Sequence, residues 1–299
     1  MKKKVLLDAV LALALTFSAA LAGAQSGAAQ NIPFVDAHVH LNDVAMQLEL
    51  MERHGASHAV VFWGGLSDNE TVQRAAAASQ GRLIPFASIS PERTAYRPAW
   101  ANDDKALLDA LDRVLATGRF LGIGEINVTH FPSAGFPETD FSPVGAMNRG
   151  VLLLARKYRV PVMLHVEWTR MSELSALLAE FRDVPVIWAH GGYTPLYIAR
   201  RMLDAHPNLY YELSARTWPR HPRSPDYTIL RDGVNVWPEW LALIEKESHR
   251  FIVGTDASHR SAASETMKFE SVQNFLRQLS PGARLKVGRE NILGLLGLK

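Results

Sequence analysis

Six side chains that could hold a divalent cation stand in or just after apolar runs. They are His38 and His40 in "FVDAHVHL", Glu125 in "FLGIGEIN", His165 in "VPVMLHVE", His190 in "VPVIWAH" and Asp256 in "RFIVGTDA". Four imidazoles and two carboxylates match the donor preferences of Zn2+, with Mn2+ or Fe2+ as alternatives. Any one of these groups is costly to bury among apolar residues without a partner. A shared cation reverses that balance, because its charge favours neutral imidazole and ionised carboxylate together. Taken singly, each histidine reads as a hydrogen-bonded structural residue. Four of the eleven histidines, brought to one rim of one fold, read as a metal centre. Alternation along an extended strand puts Asp36 on the same face as His38 and His40. Asp36 lies deeper and is expected to support the site without binding the cation.

The elements that must position these groups are visible in the hydropathy pattern. Short β-like runs occur at 34–41, 58–64, 83–90, 120–127, 160–167, 184–190, 208–215 and 250–257. Between them lie amphipathic stretches such as "DDKALLDALDRVLATG", whose apolar residues recur at three- and four-residue steps and which ends at a glycine. Eight such alternations predict an α/β protein with a single (β/α)8 TIM barrel. The nearly continuous apolar strands agree with parallel strands covered on both sides. The six candidate ligands then fall at the C-terminal ends of strands, the rim where barrels carry chemistry. The long connections 128–143 and 216–236 are expected over that rim, and "GRENILGLLGL" is expected as a terminal helix on the barrel.

With "DAHVH", the histidines of "MLHVE" and "WAHGG", and "GTDAS" in that order, the chain resembles the amidohydrolase superfamily from about Phe34 to Leu296. The amidohydrolase-related branch, which holds lactonases and decarboxylases, is the most similar, and "GIGEI" also resembles TatD-type and phosphotriesterase-type members. The resemblance implies that His38, His40 and Asp256 hold one metal, that His165 and His190 hold a second, and that Glu125 bridges them. Asp256 would then take the proton from the attacking water. The implied function is hydrolysis of an ester, lactone or amide by metal-activated hydroxide, with a phosphoester as a further option. If Glu125 is not a bridge, His38, His40, His165 and Asp256 form a one-metal site. His190 then becomes the acid or base of a decarboxylase acting on a small unsaturated or aromatic carboxylic acid.

Substrate contacts are expected from Arg216, Trp168 and Trp63, since arginine among aromatics at a pocket mouth suits a carboxylate or a planar ring. Arg216 is preferred over Arg220 and Arg223 because it follows its strand most directly. The "HGG" at 190–192 lacks the G-x-S-x-G elbow of an α/β-hydrolase, and "GIGEIN" lacks the third glycine of a dinucleotide fingerprint. A barrel retained only for binding would be expected to have lost ligands.

The chain has 299 residues and no cysteine, which excludes thiol catalysis, cysteine-bound zinc and disulfides. Lys2, Lys3 and Lys4, the apolar run Val5–Leu15 and the small residues Ala22 and Ala24 read as a signal peptide over 1–24, with the barrel over 25–299. Export to a periplasm or beyond follows, with no stable membrane anchoring after cleavage. Residues 1–24 carry three lysines and one aspartate of a chain with net charge +2, so the remainder is neutral. Neutrality argues against nucleic acid and for a small-molecule substrate. No sequence feature sets an oligomeric state.

Overall fold

The computed structural model describes residues 30–299 except 64, 92 and 133–137. The expected signal segment lies outside the described residues. The chain divides into residues 1–31 and residues 32–299, and the barrel belongs to the second unit. Eight parallel strands run in the order β1 (Phe34–His40), β2 (Ala56–Phe62), β3 (Leu83–Ala87), β4 (Gly122–His130), β6 (Val162–Val166), β7 (Val186–Trp188), β8 (Leu209–Glu212) and β9 (Phe251–Ile252). The two-residue β5 (Thr139–Asp140) pairs antiparallel with the end of β4. The expected loop after the fourth strand is therefore partly an extension of that strand.

The last strand returns to the first. Ala37 N–H donates to Val253 O at 3.0 Å and His40 N–H to Ala257 O at 2.8 Å. Asp36 completes the seam by accepting from Thr255 N–H at 2.8 Å and Thr255 Oγ1 at 2.6 Å.

One long helix follows each parallel strand: α1 (Val44–His54), α2 (Asn69–Ala78), α3 (Lys105–Leu115), α4 (Ala146–Tyr158), α5 (Met171–Glu180), α6 (Leu196–Ala205), α7 (Pro238–Lys246) and α8 (Ala262–Arg277). Asp43 caps α1 by accepting from Met46 N–H, and Asp104 caps α3 by accepting from Ala106 N–H. Apolar residues form two layers. Val35, Ala37, Val60, Phe62, Ile84, Phe86, Met163, Ile187 and Ile252 fill the barrel interior, where Ile292 and Leu293 of the terminal helix join them. Leu50, Met51, Leu111, Val151, Leu177, Leu243 and Phe275 pack the helices against the outside of the sheet.

Strand pairing slips between Asp36 and Val39. His38 and His40 stay on one face. Val35 and Ala37 pack with the interior cluster, and Asp36 turns to the seam. The expectation that Asp36 shares their face is thus corrected, because a bulge interrupts the two-residue period.

Candidate metal centre

The six expected ligands converge at the C-terminal mouth of the barrel. The carboxylate of Glu125 divides between two imidazole pairs. Its Oε2 lies 3.3 Å from His40 Nε2 and 3.5 Å from His38 Nε2. Its Oε1 lies 3.1 Å from His165 Nδ1 and 3.6 Å from His190 Nε2. Asp256 Oδ1 sits against the first pair, 3.4 Å from His40 Nε2 and 3.6 Å from His38 Nε2. The donor atoms of His38, His40 and Glu125 lie within 4.8 Å of one another, as do those of Glu125, His165 and His190.

Hydrogen bonds fix which ring nitrogen each histidine presents. His190 Nδ1 lies 3.0 Å from Ser214 O, and a carbonyl only accepts, so Nδ1 carries the hydrogen and Nε2 offers its lone pair inward. His38 is held likewise by Glu212 Oε2 at 3.2 Å from its Nδ1. His165 Nε2 meets Glu167 Oε1 at 3.4 Å, which leaves Nδ1 for the cradle. Orienting partners of this kind are what metal-binding imidazoles require.

The donor set fits a cation. His38 Nε2, His40 Nε2, Glu125 Oε2 and Asp256 Oδ1 are four acceptors converging on one point, with His38 Nε2 and His40 Nε2 only 3.4 Å apart. Such atoms repel unless a positive charge lies among them. In the cation-free protein, protons take that role. Burial alone would push the His40 imidazole down, yet hydrogen bonds to Asp256 and Glu125 raise it to about 9. Against the same burial, Glu125 and Glu167 raise His165 to about 9. Burial by itself would raise Glu125, but the charge of His38 and bonds from His165 and His190 hold it well below the usual carboxylate range. Asp36 behaves differently. Burial outweighs the Thr255 bonds and lifts its carboxyl to about 7, in keeping with a structural seam residue.

Backbone strain is concentrated here. His190, Gly191, Gly192 and Tyr193 take φ values of 55°, 52°, 57° and 56°, four left-handed residues in succession, and Asp256 has φ 54°. A non-glycine residue gives up roughly 1–2 kcal/mol in that region. A Cβ on Gly191 would lie 1.8 Å from Tyr211 Cζ, and one on Gly192 would lie 2.3 Å from Val166 O. The two glycines are therefore required where β7 stops at Trp188, short of the expected residue 190. Lys268 of α8 anchors the second strained position, donating to Asp256 O at 2.6 Å.

Of the expected substrate residues, Trp63 stands beside the site. Its ring centre is 6.2 Å from that of His40, and the Arg93 guanidinium lies over it at 4.8 Å. Trp168, in the turn Trp168–Arg170 after β6, is 40% exposed. Arg216 is corrected: it is buried, donates to Thr194 O at 2.8 Å and His190 O at 3.4 Å, and lies 5.1 Å over the Trp240 ring. It braces the left-handed turn from behind. Arg223 takes the place beside the site, donating to Phe131 O at 2.8 Å and approaching Glu167 Oε1 to 3.7 Å.

Glu167, Glu212 and Tyr193 were missing from the sequence expectation. Glu167 falls two residues after His165 on an alternating strand, and Glu212 is an acid inside the apolar run "NLYYELSA", the same signal that singles out Glu125.

A family model described as amidohydrolase matches residues 35–298. Solved structures of similar fold include a probable 2-pyrone-4,6-dicarboxylic acid hydrolase from Acinetobacter baumannii with citric acid bound. It has 15% identity and a TM-score of 0.59, with 89% of this chain and 100% of that chain covered. An amidohydrolase from Burkholderia multivorans with bound zinc has 14% identity and a TM-score of 0.56, covering 90% and 100%. A TatD family hydrolase from Entamoeba histolytica has 15% identity and a TM-score of 0.56, covering 89% and 99%. No curated protein matches the chain in sequence.

Proposed function

The chain belongs to the amidohydrolase family, and on that premise we propose that it is an exported, metal-dependent hydrolase of an ester, lactone or amide bond. The observation that carries the reading is the divided carboxylate of Glu125, with one oxygen toward His38 and His40 and the other toward His165 and His190. His38, His40 and Asp256 would hold one cation, His165 and His190 the other, and Glu125 would link them. Zn2+ suits the borderline nitrogen donors, with Mn2+ or Fe2+ as alternatives. Bound in this cradle, the cations would supply ionised water near neutral pH and a Lewis acid for the substrate's oxygen.

The remaining work falls to the chain's own residues. Asp256 has a side chain 23% exposed, the most open of the acids around the cradle, so it meets both the incoming water and the substrate. It would take the proton of the attacking water and return it to the leaving group. Glu212 and Ser214 hold His38 and His190 in the required tautomers, and Glu167 does so for His165. Trp63, whose ring lies beside that of His40, would contact the substrate. Export rests on the basic and apolar start of the chain. Among the described residues no helix is long and apolar enough to cross a membrane.

The test is metal counting by mass spectrometry on the purified protein and on Glu125→Gln, with a screen of esters, lactones, amides and carboxylic acids. Two equivalents falling to one in the variant, with hydrolytic turnover in the wild type, support the proposal. One equivalent in both proteins, with CO2 released and no water added, selects the one-metal decarboxylase with His190 as acid or base.

A further inference from the structure

Tyr193 does work that the ligand set does not explain. Its ring lies parallel to that of His190, with centroids 5.1 Å apart and planes 8° apart, and is backed by Tyr227 at 4.4 Å and 13°. The His221 ring meets its edge at 5.0 Å. The residue is 7% exposed. Buried tyrosines normally bond their hydroxyl to a neighbour. The Tyr193 hydroxyl has no such bond to any described residue, nor is it sealed from solvent. The contrast with Tyr211 is direct, since that hydroxyl pairs with Thr194 Oγ1 at 3.1 Å. The Tyr193 ring also lies 6.1 Å from that of His165, so it borders both histidines on the Glu125 Oε1 side of the cradle. The side chain is aimed by the strained left-handed turn that also aims His190. Strain held by an over-determined surrounding is a mark of positions under functional constraint.

We propose that the Tyr193 hydroxyl is a hydrogen-bond donor to an oxygen of the substrate's reacting group. The inference rests on the hydrolase reading above and adds a residue outside the cation ligands. Charge grows on the carbonyl oxygen as water adds, and a donor already fixed beside it strengthens its bond at that moment. The aromatic faces of His190 and Tyr227 fix the ring, so the hydroxyl is preorganised without a partner of its own. Phenylalanine would keep both stacked contacts and remove only the donor.

The test uses the Zn2+-loaded full protein and methylphosphonate, a tetrahedral oxyanion that resembles the carbonyl adduct. Calorimetry compares the wild type with Tyr193→Phe, with metal content and melting temperature measured on both. The expected result is binding about 10- to 100-fold weaker in the variant, the range for a hydrogen bond to a charged group, with metal content and stability unchanged. Equal affinity in the two proteins overturns the proposal, as does a metal-loaded wild type that does not bind the probe. A wild type that takes up no Zn2+ defeats the hydrolase reading itself, and the proposal with it. Should Tyr193→Phe fail to fold, 3-fluorotyrosine placed at position 193 reports directly. Its fluorine resonance is expected to move on adding methylphosphonate, and an unmoved resonance overturns the proposal.

Discussion

Glu212 offers the sharpest test of how the site is held together. Its carboxylate is fully buried and accepts four hydrogen bonds. Oε2 takes His38 Nδ1 at 3.2 Å, His190 N–H at 3.1 Å and Ser214 Oγ at 2.7 Å, and Oε1 takes Ser214 N–H at 2.6 Å. Glu212→Gln keeps the shape and replaces one acceptor by an NH2 group. With the amide oxygen in the Oε2 position, the NH2 faces the Ser214 N–H. In the reverse orientation it faces three donors. The first is the better choice and still leaves one donor against another, a loss of about 1–3 kcal/mol in stability. The three remaining bonds also lose the assistance of charge, and His38 is held less firmly. Loss of an orienting partner typically lowers metal affinity 10- to 100-fold, about 1.4–2.7 kcal/mol. Zn2+ affinity measured by competition with a chromophoric chelator, together with urea unfolding of the cation-free protein, reads both quantities. A variant that binds Zn2+ as tightly as the wild type refutes the view that the charge of Glu212 holds His38 in place for the cation.

Asp256→Asn keeps the volume and removes the proton acceptor, so turnover is expected to fall at least 100-fold with a melting temperature close to wild type. Retained activity in a steady-state assay removes the assigned role. Gly191→Ala sets a Cβ 1.8 Å from Tyr211 Cζ at a left-handed position. Overpacking and strain together predict a loss of about 2–5 kcal/mol, seen as a lower urea midpoint, and an unchanged midpoint contradicts the packing described. With His40 and His165 raised to about 9 in the cation-free protein, a cation must displace their protons. Apparent Zn2+ affinity should therefore rise with pH and level off above about 9, with proton release measurable by calorimetry in two buffers; a flat profile refutes it. The same raised values stabilise the cation-free fold fully below about pH 6.5, and that contribution is lost as pH rises through about 9.

The six converging side chains were legible because each stands in or just after an apolar run, a place where a charged or titratable group needs a reason. Glu212 obeys the same rule, as an acid inside the run "NLYYELSA", and was passed over because the two tyrosines before it give that run a partly polar character. Asp36 shows the limit of periodicity. A single slip in pairing between Asp36 and Val39 alters which residues share a face, and nothing in "DAHV" announces it. Arg216 was misjudged for a related reason. Nearness to a strand end in sequence does not reveal which side of the following turn a long side chain takes, and the left-handed turn at 190–193 draws it behind the site. Tyr193 gave no signal because its importance comes from a backbone conformation that two glycines permit and the sequence does not state.

The seam between β1 and β9 sets the order in which the molecule can be assembled. Asp36 and Thr255 are separated by 219 positions, and they close the ring beside His38, His40 and Asp256. A polypeptide emerging from its amino end exposes the two histidines long before the aspartate exists. The cradle is thus complete only when the two ends of the barrel sequence meet, and a cation held by the full set would report that the ring has shut.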